Sequence, residues 1–313
     1  MKKRHLIIFL PYLLSGSIPV FSQKPKKENG FRDAQMITAK EIDQEVLDTL
    51  KKSTTVFFYG KETGQSLDSL KAALSTAWDL TPFIFENIDK IWNYIGEKGY
   101  SYFVIEGARS GADFKNNSGS TRSFANLHIY LTLRSSIGPG LCRIELYPDP
   151  ETLRSDDYDH FKYETAYKKG HFYNWSPVYL KAHVQAVESD LKKGIRPGLD
   201  EEFVAEDLQQ LLQNDTLYIS ASMLGKYNPW AGKETGKQAD LFKVLKSPYR
   251  ICSDSELYSI FITENRGRLL FEYVKSSTLK YISIHDLKKK EVVYKDFDNG
   301  YNLHANDLSK IYK

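Results

Sequence analysis

The side chains best suited to acid–base or metal chemistry are concentrated between residues 156 and 183. That segment holds three aspartates and three histidines, namely Asp156, Asp157, Asp159, His160, His171 and His183. Carboxylates and imidazoles together can bind a metal ion or transfer protons during hydrolysis. The histidines are eleven and twelve residues apart, however, whereas helical metal motifs place two ligands three or four residues apart. A hydrated acidic loop is therefore the simpler interpretation, and a hydrolase that uses these carboxylates and histidines is the alternative.

Aromatic residues form a second candidate site in the same segment. Residues 171–175 read HFYNW, and Tyr and Trp provide a large contact area at low conformational cost. Such a cluster suits a glycan or a protein partner, so His160, His171 and Trp175 are candidate binding residues. A recognition surface of this kind requires an exposed aromatic patch near Trp175 or Trp230. The alternative is that these rings, like most of the chain's 21 Tyr, 17 Phe and 4 Trp, belong to the core.

The pentapeptide GKETG occurs twice, at residues 60–64 and 232–236. Each copy is predicted to lie between a strand and an amphipathic helix, where backbone N–H groups could receive an anion, so Lys61 and Lys233 are further binding candidates. A phosphate-binding P-loop has four residues between its first glycine and the final Gly-Lys-Ser/Thr. Residues 232–238 have only three residues before Gly236-Lys237, and Gln238 occupies the position of the serine or threonine. A tight turn, with glycine for positive φ and charged residues for solubility, is the simpler interpretation.

No other catalytic signature is present. The chain has no G-x-S-x-G elbow, and neither cysteine has papain-like neighbours. We therefore expect a protein without catalytic activity, without a cofactor and without a catalytic metal. Cys142 and Cys252 could pair in an oxidising compartment. Alternatively, Cys142 could remain a buried thiol on the apolar face of a strand with Ile144 and Leu146.

The first residues predict export. The chain begins MKKR, continues with an apolar stretch over residues 6–14, and reaches small residues that favour cleavage after Ser22. The apolar stretch is shorter than the ~20 residues of a membrane-spanning helix, and no later segment is long enough, so we expect no transmembrane segment after cleavage. Cleavage removes three of the 43 basic residues and none of the 40 acidic ones, which leaves 40 of each. This balance disfavours nucleic-acid binding and is compatible with the periplasm or the cell exterior.

Five regions follow from the hydrophobic periodicity. They are a signal peptide (1–22), a polar tail and helix (23–53), a first α/β domain (54–148), a connector with two helices (149–213) and a second α/β domain (214–313). Both domains are predicted to follow the order β-α-β-α-β-β-β, with GKETG after the first strand. The fold class is therefore α+β or α/β, with a possible internal duplication. The alternative is a chance match within a common α/β order.

With its predicted signal peptide, the glutamine after the cleavage point and strands rich in lysine and tyrosine, the chain resembles uncharacterised exported proteins of Gram-negative bacteria. Its predicted element order is also similar to small α/β domains in envelope accessory proteins of the curli-secretion and Tol type. That resemblance implies contacts with protein partners. Taken together, the sequence favours a non-catalytic envelope or extracellular protein that binds a protein or a glycan, and the alternative is an exported hydrolase.

Overall fold

The computed structural model describes residues 40–60, 66–115, 121–154, 163–228, 232–276 and 279–312. For residues 108–115, 121–127, 153–154 and 163–164 it describes only the backbone. The predicted signal peptide and the candidate residues Lys61, His160 and Trp230 lie outside the described part of the chain.

A five-stranded mixed sheet occupies the first half of the chain, in the order β3-β2-β4-β5-β6. Strand β2 runs parallel to β3 and β4, and the pairs β4/β5 and β5/β6 are antiparallel. The elements of this region are β1 (Lys40–Glu41), α1 (Gln44–Lys51), β2 (Thr54–Tyr59), α2 (Leu67–Leu74), β3 (Phe83–Asn87), a 3-10 helix (Ile88–Asn93), β4 (Tyr100–Lys115), β5 (Thr121–Arg134) and β6 (Ile144–Glu145).

The middle region contains four described helices, where the sequence predicted two. Its elements are α3 (Pro150–Arg154), α4 (Tyr163–Lys169), α5 (Pro177–Lys192), β7 (Ile195–Arg196), β8 (Phe203–Val204) and α6 (Leu208–Asn214). The two additional helices, α3 and α4, are five and seven residues long, too short to give a helical periodicity in the sequence.

A six-stranded mixed sheet occupies the last part of the chain, in the order β12-β9-β13-β14-β15-β8. Strand β9 is parallel to β12 and β13, and the remaining pairs are antiparallel. The elements are β9 (Leu217–Ser220), a 3-10 turn (Ala221–Leu224), β10 (Gly225–Asn228), β11 (Lys233–Lys237), a 3-10 helix (Ala239–Val244), β12 (Tyr249–Cys252), α7 (Asp254–Tyr258), a π-helical turn (Ser259–Thr263), β13 (Leu269–Ser276), β14 (Leu279–Asp286), β15 (Glu291–Asn299) and α8 (Ala305–Lys310).

Helix α5 lies between the two apolar cores. The spacing of its apolar residues in the sequence predicts one stripe, and this stripe packs in the core of the first sheet: Leu180, Val184, Val187 and Leu191. Its opposite side, which includes Val178, Tyr179 and Ala182, packs in the core of the second sheet. Thirteen of its sixteen residues are buried, as expected for a helix enclosed by two sheets. The protein is thus a mixed α/β protein with several mixed sheets.

The second GKETG copy differs from its prediction. Lys233–Lys237 is an exposed strand that pairs antiparallel with Gly225–Asn228, and Gly232 lies in the turn with φ of 59°. The predicted loop and the helix after it are therefore wrong for this copy. At Gly232 the chain adopts the left-handed conformation that glycine permits. The following segment makes only a 3-10 helix, Ala239–Val244.

The two cysteines do not pair. Cys142 is buried in the core of the first sheet, Cys252 is buried in the core of the second, and both are free thiols. Burial raises the pKa of the Cys142 thiol to about 12. Of the two alternatives left open by the sequence, the buried thiol is confirmed. Within the described ranges, no helix combines the length and the apolar character needed to cross a bilayer.

Candidate functional site

Three of the predicted binding residues, His171, Trp175 and Lys233, are described, and they lie in different environments. His171 has 67% of its side chain exposed, and its Nδ1 lies 3.4 Å from Asp149 Oδ2. Trp175 is only 3% exposed, so it does not form the exposed aromatic patch expected at this residue. Lys233 projects from the exposed strand β11. The structure brings His171 and Trp175 together in the wall of one pocket, and Lys233 is not part of that wall.

The pocket, which we call the α5 pocket, opens beside the N-terminus of α5 and has a volume of about 160 Å³. Its lining includes His171, Phe172, Tyr173, Trp175, Ser222 and Asp254. Phe172 and Trp175 are buried, whereas His171 and Asp254 are exposed. The pocket therefore has an aromatic interior and a polar rim.

Backbone bonds hold the aromatic segment against the end of the first sheet. Phe172 pairs with Pro148 in an isolated bridge, and Tyr173 N donates to Tyr147 O at 2.9 Å. The approach requires glycine at position 170, because a Cβ there would lie 2.5 Å from the Phe172 ring and 2.6 Å from Ala166 O. Gly170 thus permits residues 171–175 to pack closely against the neighbouring backbone, whereas the pocket that they line is completed by residues far along the chain.

Trp175 carries the least satisfied polar atom of the pocket. Its ring stacks on Phe57 with centroids 6.0 Å apart and meets Tyr167 edge-on. Its indole Nε1–H is buried and has no hydrogen-bond partner among the described residues. Buried donors are almost always paired, and an unpaired one costs about 1–3 kcal/mol.

The other polar groups of the pocket are oriented by neighbours. Ser222 Oγ donates to Asp254 Oδ1 at 3.3 Å, and Ser220 Oγ donates to the same oxygen at 2.8 Å. Tyr173 OH donates to Glu234 Oε1 at 2.8 Å. Burial, followed by this contact with Glu234, raises the pKa of Tyr173. The groups are suited to binding a polyhydroxylated ligand, since they offer carboxylate, hydroxyl and aromatic surfaces.

A second polar cluster lies between α5 and the second sheet, and we call it the buried histidine–glutamate centre: His183, Glu272 and His285. His183 Nε2 lies 2.9 Å from Glu272 Oε1, and His285 Nε2 lies 3.2 Å from Glu272 Oε2. All three residues are buried. Glu272 and Ser283 face each other across β13 and β14, and His285 follows two residues later on the same face.

The charges of this centre are set by mutual contact. Burial alone would raise the pKa of the Glu272 carboxyl, but His183 and His285 hold it well below its usual value. Burial lowers the pKa of His285 more than the Glu272 carboxylate raises it. From the sequence, His183 was only one of three scattered histidines, and Glu272 and His285 were not identified. The available signal was Glu272 itself, an acidic residue with apolar or aromatic residues on both sides over residues 269–274.

Asn174 connects the pocket segment to this centre. Its Nδ2 donates to Glu272 Oε1 and to the Glu145 carbonyl, each at 2.9 Å. Its Oδ1 accepts from Tyr147 N at 2.8 Å, and the side chain is fully buried. Residues on either side of Asn174 line the pocket, while Asn174 itself points away from it toward the second sheet.

Comparisons with models of protein families, with curated proteins and with solved structures find no match for this chain. The geometry of the two sites is therefore the basis for assigning a function.

Proposed function

We propose that the protein is a non-catalytic exported protein of the periplasm or the cell exterior that binds a glycan in the α5 pocket. The observation that carries this proposal is the pocket lined by His171, Phe172, Tyr173 and Trp175, together with the buried indole N–H of Trp175, which has no partner among the described residues. A sugar hydroxyl accepts such a hydrogen bond, and the aromatic rings pack against the apolar face of a sugar ring.

The size of the pocket limits the ligand. Pockets that enclose a whole drug-sized molecule measure ≈ 300–1,000 Å³. A volume of about 160 Å³ accommodates only part of such a ligand. The bound group is therefore a single terminal unit of a larger glycan, with the remaining units outside the pocket. Asp254 and Ser222 at the rim supply oxygen acceptors for its outer hydroxyls.

The export part of the proposal is supported by the leader-like residues 1–22 and by the charge balance that follows their removal. A neutral mature chain attracts neither nucleic acid nor anionic lipid over long range, which agrees with an uncharged ligand.

An internal duplication is part of the same proposal. In the first sheet β2 lies between β3 and β4, in the second sheet β9 lies between β12 and β13, and the three strands of each set are parallel. In each, a fourth and a fifth strand then follow antiparallel, in chain order. The shared order supports two related halves, a first over residues 54–148 and a second over residues 214–313.

A glycan array followed by isothermal titration tests the proposal. The informative variant is Trp175→Phe, which keeps an aromatic ring and removes the N–H. We expect it to weaken glycan binding about tenfold or more, because a lost hydrogen bond costs about 1–3 kcal/mol. The matched control is Trp78→Phe, since the Trp78 indole is equally buried but already donates to Thr81 Oγ1 at 2.9 Å.

Two results would contradict the proposal. The first is that no glycan on the array binds the wild-type chain, and the second is that both tryptophan variants bind the selected glycan as tightly as the wild type. Binding of a protein partner that is insensitive to Trp175→Phe would also place the functional surface elsewhere.

A further inference from the structure

The buried histidine–glutamate centre joins three separate elements. His183 comes from the middle of α5, Glu272 from β13 and His285 from β14. One ligand-capable atom of each residue, an imidazole nitrogen of each histidine and a carboxylate oxygen of Glu272, all lie within 4.8 Å of one another. Neither the glycan proposal nor the pocket accounts for this convergence.

The separations suit a small divalent ion. In four-coordinate zinc sites, metal–nitrogen distances are ≈ 2.0–2.1 Å and metal–oxygen distances are ≈ 2.0–2.2 Å, so neighbouring donor atoms lie about 3.3 Å apart. The two histidine–carboxylate separations are 2.9 and 3.2 Å.

The donor types select the class of metal. Calcium and magnesium prefer six or more oxygen ligands, which this centre does not offer. Two imidazoles and one carboxylate are the donors of zinc and its neighbours in the first transition row. The set supplies three protein ligands, and Ser283 Oγ lies 3.0 Å from both Glu272 Oε2 and His285 Nε2, beside a fourth position.

An outer layer of hydrogen bonds holds the carboxylate in place. Asn174 Nδ2 donates to Glu272 Oε1, and Ser283 Oγ donates to Glu272 Oε2. Metal ligands are usually oriented by such second contacts. Because the centre is enclosed between a helix and a sheet, an ion there would be structural.

We propose that His183, Glu272 and His285 bind one zinc-class divalent ion, which fastens helix α5 to strands β13 and β14. The competing arrangement is a metal-free hydrogen-bond network, in which the carboxylate accepts directly from the two imidazoles. The two arrangements predict different metal contents for the same protein.

The test uses the full chain, stripped with a chelator and then titrated with Co²⁺ and with Zn²⁺. We expect about one equivalent to bind, a visible Co²⁺ absorption typical of tetrahedral coordination, and a rise in melting temperature with Zn²⁺. His285→Gln and Glu272→Gln should abolish the Co²⁺ spectrum. The matched control is His171→Gln, because His171 is also a histidine beside a carboxylate but lies at the surface.

The wild-type titration decides the question even if a variant fails to fold. A stripped, folded wild-type chain that binds neither ion at micromolar concentration would overturn the proposal in favour of the hydrogen-bond network. Loss of the Co²⁺ spectrum in His171→Gln, with retention in His285→Gln, would equally overturn it by placing the ion at the surface. Glycan binding is measured separately, so the two proposals can fail independently.

Discussion

Replacing Asn174 with alanine should destabilise the protein strongly, because this one side chain satisfies three buried groups from both halves of the fold. The variant leaves Tyr147 N–H and the Glu145 carbonyl without the Asn174 amide. It also removes the hydrogen bond from Asn174 Nδ2 to Glu272 Oε1, although that oxygen retains its hydrogen bond with His183 Nε2. Counting about 2 kcal/mol for each backbone group and about 1 kcal/mol for the carboxylate oxygen gives a loss of about 5 kcal/mol.

Urea denaturation followed by circular dichroism measures this loss. Asn214→Ala is the matched control, since Asn214 ends helix α6 and is exposed. Exposed substitutions of this kind usually change the free energy of unfolding by less than about 0.5 kcal/mol. A loss below about 1 kcal/mol for Asn174→Ala, with an unchanged m-value, would refute the reasoning, because it would mean that the three groups find other partners.

A second substitution separates lost hydrogen bonds from lost volume. Asn174→Asp has nearly the same shape and retains the acceptor for Tyr147 N–H. It replaces the donor to Glu272 and Glu145 with an oxygen, so it places two carboxylates together in a buried site. We expect Asn174→Asp to be at least as destabilising as the alanine variant at neutral pH. Near-wild-type stability of the aspartate variant would show that volume alone matters at this position.

Patterns contained within one segment were predicted correctly from the sequence. The apolar stripe of α5 recurs every three or four residues and is buried as expected. Ser253 and Glu256 have the three-residue spacing that predicts a capping box, and both of its reciprocal hydrogen bonds are present. Both features depend only on residues within a few turns, so the local sequence is sufficient to specify them.

Elements that depend on a distant partner were assigned less well. The apolar residues between Phe203 and Leu212 have helical spacing and predict a helix from about Asp200, but Phe203 and Val204 form the strand β8 and are 48% and 54% exposed. Their backbone pairs with Tyr294 and Lys295 of β15. A two-residue edge strand has no periodicity of its own, so only the tertiary pairing determines its conformation.

The candidate sites show the same limit. The sequence separation of His183 and Glu272 is 89 residues, and that of Glu272 and His285 is 13. These spacings match no local motif, because the convergence arises from the pairing of β13 with β14 and from the packing of α5 on that sheet. For the α5 pocket, the sequence did predict His171 and Trp175. It did not identify Ser222 and Asp254, which reach the pocket from another part of the chain.

Three further predictions concern the cysteines, a buried ion pair and one carboxyl group. Cys142 and Cys252 should remain unlabelled by an alkylating reagent until the chain is unfolded, as measured by mass spectrometry, and a disulfide-linked product would contradict this. Lys280 Nζ lies 2.6 Å from the buried Asp307 Oδ2, so Lys280→Met leaves this carboxylate without its cation. The free energy of unfolding should fall by about 3–5 kcal/mol, and amide hydrogen exchange in α8 should accelerate. Unchanged exchange in α8 would contradict this. Burial raises the pKa of the half-buried Asp190 carboxyl to about 6. The folded state therefore holds that proton more tightly than the unfolded state, and this group lowers stability as the pH rises from about 4 to about 6. After allowance for solvent screening, Asp190→Asn should raise the free energy of unfolding at pH 7 by roughly 1–2 kcal/mol, as measured by urea denaturation. The same variant should reduce the change of this free energy with pH between about 4 and about 6. An unchanged pH dependence would show that Asp190 ionises alike in the folded and unfolded states.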